Sequence, residues 1–122
     1  MKNVLWFSRH ELTETQIEDL KAVLGEDDLF INCINQTITS AYAIKDDLER
    51  CDVACVVMPL NLQEQTLKIL NGKPMLISRN HRVQQDDGTF AFYHAGWDRV
   101  DRIEIVKETL SNIPAPDNSF RQ

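Results

Sequence analysis

"DVACVVMPLNLQEQTLKILNGKPMLIS", residues 52–78, is the stretch on which the fold turns. Asp52 to Pro59 is a short apolar run rich in valine and closed by a proline, the pattern of a strand buried on both faces. Leu60, Leu67 and Leu70 then recur at helical spacing over residues 60–73, and Gly72 stands past the end of that pattern. Residues 74–78 return to an apolar run that reads as a further strand. Strand, helix and strand in succession make a βαβ unit, which requires parallel strands and a right-handed crossover.

The same grammar extends toward the N-terminus. Residues 3–7, "NVLWF", form a first buried strand. Thr13 and Gln16 have the spacing of a capping box, Ile17, Leu20, Val23 and Leu24 fall on one helical face, and Gly25 supplies the stop. Residues 29–35 read as a second strand, and residues 39–51 as a weaker helix with Ala43, Ile44 and Leu48 inward. The order through Ser78 is β-α-β-α-β-α-β, so the expected fold is α/β: a Rossmann-like open parallel sheet.

Beyond residue 79 the pattern changes. "HRVQQDDGTFAFYHAGW", residues 81–97, places Asp-Gly between two alternating runs and predicts a β-hairpin. Residues 102–110 read as a final strand or a short helix. The expected organisation is a single ligand-binding domain over residues 1–110 and a flexible C-terminal tail over 111–122, where two prolines stand and apolar residues are few.

Composition narrows the partners. The chain has 122 residues, 43% of them hydrophobic, and a formal net charge of −6. An acidic balance excludes duplex nucleic acid as the main partner, because phosphate neutralisation needs a broad basic surface. It leaves room for a small anion in a local basic pocket. Cys33, Cys51 and Cys55 are read as reduced thiols, with Cys33 and Cys55 in the core, since no zinc-type cluster accompanies them. No apolar run is long enough for a membrane span or fits a signal peptide, so a cytoplasmic protein with no membrane partner is expected. There is no GxGxxG, no P-loop, no carboxylate at the end of the first strand, and no residue group that calls for a metal or another cofactor.

In an open parallel sheet the ligand lies beyond the carboxyl ends of the strands. Ser8, Arg9 and His10 follow the first strand, Asn35, Gln36 and Thr37 the second, and Pro59, Leu60 and Asn61 the third. Arg79 and Arg82, with His81 between them, follow the fourth. Together with the helix N-termini near Thr13 and Asn61, these side chains describe a phosphate pocket. Each also has an ordinary reading: Ser8 as a turn former, Thr37 or Thr39 as a helix cap, Pro59 as a strand terminator, and Arg79 to Arg82 as charged surface. Trp6 and Trp97 read as core or interface anchors, whereas Tyr42, Phe92 and Tyr93 are free to stack on a base.

"VLWFSRHELTETQ", residues 4–16, resembles the opening of small ring-nuclease-like proteins associated with type III CRISPR systems, in which a strand runs into Ser-Arg-His or Ser-His before a capped helix. "VACVVMPLNLQ", residues 53–63, is similar to their hydrophobic strand followed by proline and a helix. The resemblance spans roughly the first 80 residues and does not extend to the hairpin. It implies a Rossmann-like homodimer related to CARF sensor domains, with cyclic oligoadenylate bound across the two-fold axis and, in some members, cleaved without a metal. Ser8, Arg9 and His10 fall on the family motif. Chemistry then assigns roles: a ribose 2′-hydroxyl attacks the adjacent phosphodiester in line, giving a 2′,3′-cyclic phosphate. Arg9 and Arg79 would balance phosphoryl charge, and His10 would act as general acid or base. The sequence leaves two rivals standing: a non-catalytic binder acting as sensor or sponge, and a small dimeric α/β adaptor.

Overall fold

The computed structural model describes residues 1–104 and 106–115. Strands β1 (Lys2–Phe7), β2 (Leu29–Ile34), β3 (Val53–Val56), β4 (Met75–Gln84) and β5 (Phe90–Arg99) form one sheet in the order β2-β1-β3-β4-β5. The first three pairings in that order are parallel, and β4 with β5 is antiparallel. The protein is therefore α/β, with a mostly parallel open sheet that ends in a hairpin. Strand order reverses between β1 and β3, which is where a doubly wound sheet opens a crevice at its carboxyl edge.

Helix α1 (Glu14–Leu24) covers one face of the sheet; a 3₁₀ turn (Ala41–Ile44), α2 (Lys45–Arg50) and α3 (Leu60–Leu70) cover the other. Alternation along β1 feeds both layers. Val4 and Trp6 pack with Leu20, Val53 and Cys55 under α1, while Leu5 and Phe7 pack with Ile44, Leu48, Ala54 and Leu70 under α2 and α3. Burial of each such large apolar side chain contributes about 1.5–3 kcal/mol. Thr13 and Gln16 form the expected capping box, and Gly25 takes the left-handed conformation at φ 68° that ends α1.

Several expectations change. Cys33 is exposed rather than buried, because β2 is an edge strand whose outer residues face solvent. Val23 and Leu60 are also exposed: α1 turns Leu20 inward with Ile17 and Leu24 beside it, and α3 buries Leu62, Thr66 and Leu70 at four-residue spacing. Ala41, not Ala43, is the buried alanine of the third segment. The helix expected over 39–51 is split into the 3₁₀ turn and α2. Residues 102–104 and 106–110 carry neither strand nor helix, so no final element forms there among the described residues. In the expected tail, 111–115 are likewise irregular and 116–122 lie outside the described residues.

The largest change concerns β4, which does not stop at Ser78. It runs to Gln84 and pairs with β5 through a bulge at Arg79/Asn80, around a turn in which Gly88 has φ 86°. Because β3 pairs with β4 only at Met75 and Leu76, the rest of the hairpin continues beyond the edge of the sheet as a two-stranded arm.

Candidate functional site

β1, β2 and β3 end level with one another: Phe7 lies beside both Ile34 and Val56. The chain leaves the sheet there under tight control. Ser8 N–H donates to the Ile34 carbonyl at 3.2 Å, and Val57 N–H donates to the Phe7 carbonyl at 2.9 Å. Ser8 is buried, and its hydroxyl accepts the His10 N–H at 3.1 Å. The Trp6 indole N–H donates to the His10 carbonyl at 2.8 Å. The backbone of His10 is thus pinned on both sides, which holds Arg9 and the His10 imidazole outward. Ser8 acts as the turn former here, and Trp6 as a core anchor that also fixes the loop.

Arg9 reaches across the edge of the sheet. Its Nη2 donates to Thr37 Oγ1 at 2.7 Å, tying the loop after β1 to the loop after β2. One of five guanidinium N–H groups is used in that contact, and the fork remains able to meet an anion. Thr37 consequently serves Arg9, and Ser40 is the residue that caps the 3₁₀ turn, accepting from Tyr42 N–H at 3.2 Å.

Beside this loop a cavity of about 440 Å³ opens at the switch point. Ser8, Arg9, His10, Gln36, Thr37 and Pro59 line it, with Phe7, Ile38, Met58 and Leu62 as its apolar wall. Among the described residues that line it, none is Asp or Glu, in a chain of net charge −6. Pro59 stands at the N-cap of α3 and supplies no side-chain cap, and Pro59 and Leu62 line the cavity, so the first turn of α3 borders it with its positive dipole end. The N-terminus of α1 differs, because its own capping box occupies it.

The remaining expected residues lie elsewhere. Asn35 lines a neighbouring cleft of about 490 Å³, which also touches Ser8, Arg9 and His10. Asn61 is exposed in the first turn of α3 and lines neither opening. Arg79 and Arg82 are strand residues of the arm, not loop residues. Arg79 pairs with Asp98 at 3.3 Å and lies so close over Gly96 that an added Cβ would meet its Nη2 at 2.7 Å. The Arg82 guanidinium sits 3.7 Å from the centre of the Phe90 ring. His81 pairs across the arm with Tyr93. Arg79 and Arg82 therefore line neither opening beside Arg9, and the expected grouping of the three arginines does not form.

Sequence reading missed a polar relay under α1. His94, whose side chain is 5% exposed, bonds Asp19 Oδ2 through Nε2 at 2.7 Å and Ser78 Oγ through Nδ1 at 2.8 Å. A carboxylate on Nε2 selects the Nε2–H tautomer, so Nδ1 accepts the Ser78 hydroxyl. Gln16 Nε2 in turn donates to Ser78 Oγ at 3.2 Å. Serine, histidine and aspartate in a chain suggest a nucleophile, but Gln16 occupies the Ser78 oxygen and neither cleft beside Arg9 reaches it. Its work is to join α1 to the hairpin. Trp97 supports the same joint, its indole N–H donating to the Gln16 carbonyl at 3.1 Å and its ring meeting Trp6 edge-on at 6.0 Å. These residues stand far apart in sequence, and no local spacing announces them.

Burial pushes the Cys51 thiol up, despite the Lys73 charge that acts the other way, and pushes Cys55 up to about 12. Both are inert thiols. Among the described residues no group of three His, Cys, Asp or Glu side chains could hold a metal, and no helix is long and apolar enough to cross a membrane. No protein-family model, curated protein or solved structure matches this chain.

Proposed function

We propose that the crevice between the ends of β1 and β3 binds cyclic oligoadenylate and cleaves it without a metal, ending a type III CRISPR signal in the cytoplasm. The observation that carries this reading is the convergence of Arg9, His10, Gln36, Thr37 and the uncapped α3 N-terminus on one cavity that no described carboxylate lines. Phosphodiester oxygens suit such a lining: the guanidinium offers charge and paired donors, and the helix end offers dipole. The Ser-Arg-His resemblance supplies the class of ligand.

The chemistry follows from what this edge presents. The 2′-hydroxyl of one adenosine attacks the adjacent phosphorus, the bond to the 5′-oxygen breaks, and a 2′,3′-cyclic phosphate and a free 5′-hydroxyl result. Arg9 stabilises charge on the non-bridging oxygens. The His10 imidazole has no hydrogen-bond partner among the described residues and is available to move the proton. Incubation with cyclic tetra- and hexa-adenylate in EDTA, followed by chromatography, tests this directly. Linear products that persist under chelation and fall at least a hundredfold in His10→Ala, the low end of general acid–base effects, are expected. Intact ring co-eluting with the protein would instead assign it to sequestration or sensing.

A second reading has its own observation. Phe92 and Tyr93 on the arm are 68% and 54% exposed, and an arm of that kind suits a protein-binding adaptor. A protein that binds neither ring belongs to that class.

A further inference from the structure

Arg9 does not sit at the end of one cleft; it stands on a ridge between two. The 440 Å³ cavity lies on the α3 side of the sheet edge, and the 490 Å³ cleft lies on the α1 side, walled mainly by Trp6, Leu12, Ile17, Ile31 and Cys33, with Glu11 as its one carboxylate among the described residues. Ser8, Arg9 and His10 border both. Each volume falls in the range of small-ligand sites, about 300–1,000 Å³.

The chain puts one carboxamide beside each. Asn35 and Gln36 are consecutive residues leaving β2, and Asn35 lines the α1-side cleft while Gln36 lines the α3-side cavity. Among the described residues neither side chain has a hydrogen-bond partner. A carboxamide is the side chain that matches the N6-amino and N7 edge of adenine with one donor and one acceptor. Apolar walls around such a group favour a flat base over a sugar or a bare phosphate.

Resting on the functional reading above, we propose that the recognised unit is an adenylyl-adenosine step: one phosphodiester on Arg9, with an adenine in each flanking cleft. Asn35 reads one base and Gln36 the other. The site is then specific for two linked nucleosides and discriminates against a mononucleotide, which fills one cleft and leaves the other wet. This arrangement also exposes the phosphodiester itself, not a terminal phosphate, to His10.

Cys33 gives the proposal a built-in reporter, since it lines the α1-side cleft and is exposed while Cys51 and Cys55 are buried. The test titrates the wild-type chain with adenylyl-adenosine and with AMP, measuring affinity by calorimetry and Cys33 alkylation by mass spectrometry. The expected result is at least tenfold tighter binding of the dinucleotide. Adenylyl-adenosine should also slow Cys33 alkylation, and Asn35→Ala and Gln36→Ala should each weaken dinucleotide binding about tenfold. AMP affinity should respond to one of these two substitutions only. Equal affinity for the two ligands, with Asn35→Ala silent and Cys33 unprotected, would overturn the two-cleft proposal while leaving nucleotide binding intact. Failure of both ligands and of cyclic tetra-adenylate to bind would overturn the proposal and the functional reading together.

Discussion

The loop that carries Arg9 and His10 is held still by its neighbours. Ser8 Oγ and the Trp6 indole clamp the two polar groups of His10, and Thr37 fixes the guanidinium that projects from the same loop. Ser8→Ala is expected to cost about 1 kcal/mol in urea unfolding, the usual worth of one hydrogen bond, and to weaken ligand binding although Ser8 carries no charge. The serine's role was open in the sequence, since turn former and ligand both fit a hydroxyl after a strand. Its N–H bond to the Ile34 carbonyl, 26 residues away, and its hydroxyl's bond from the His10 N–H make it a turn former. Arg79 and Arg82 show the converse. Their polar run reads as a loop because strands are recognised by apolar residues, yet a polar strand is held here by its ladder with β5, whose His94 and Trp97 are anchored to α1. Thiols carry a prediction of the same scale: one of the three, Cys33, should react with Ellman's reagent in the native protein at pH 8, with all three reacting after unfolding.

Two joints hold elements together through polar side chains. Lys73 Nζ donates to the carbonyls of Leu48, Glu49 and Cys51, each at 2.8 Å, and so closes the C-terminal end of α2 with a cation. Lys73→Met keeps most of the stem but loses all three bonds, and an unfolding cost of about 2 kcal/mol is expected. The Asp19–His94–Ser78 relay joins α1 to the arm, and His94→Ala removes both of its bonds beside Trp97, leaving Asp19 without its imidazole partner while Ser78 keeps Gln16. A loss of about 2–4 kcal/mol is expected by chemical denaturation, with cyclic oligoadenylate affinity at 25 °C little changed, because the relay touches neither cleft. A large loss of affinity without a loss of stability would reverse that assignment. The helices and parallel strands were legible from their apolar spacing and caps. The joints were not, because each unites residues from separate elements that no period connects.

For the whole molecule, the fold class followed from the βαβ order, whereas the strand order and the reach of the arm emerged only with the pairing partners. The buried Cys55 thiol ties overall stability to pH. Its folded pKa of about 12 exceeds the ordinary value of 9.0, so its contribution is complete below pH 9 and is lost as pH rises from 9 toward 12. Cys55→Ala should flatten that part of the unfolding profile. Val57 and Leu60, 54% and 65% exposed, lie next to the crevice at the end of β3 and the start of α3. A ring of four adenylates repeats the same step about a two-fold axis, so a second copy meeting this rim would complete its site. In the function proposed above, the ligand's phosphodiester rests on Arg9 at the strand switch point. Calorimetric titration of cyclic tetra-adenylate into wild type, Arg9→Ala and Arg82→Ala tests it most directly, since both arginines follow from the sequence and the structure separates them. At least tenfold weaker binding is expected in Arg9→Ala, with wild-type affinity in Arg82→Ala. Equal losses, or a loss confined to Arg82→Ala, would place the ligand on the arm and contradict it.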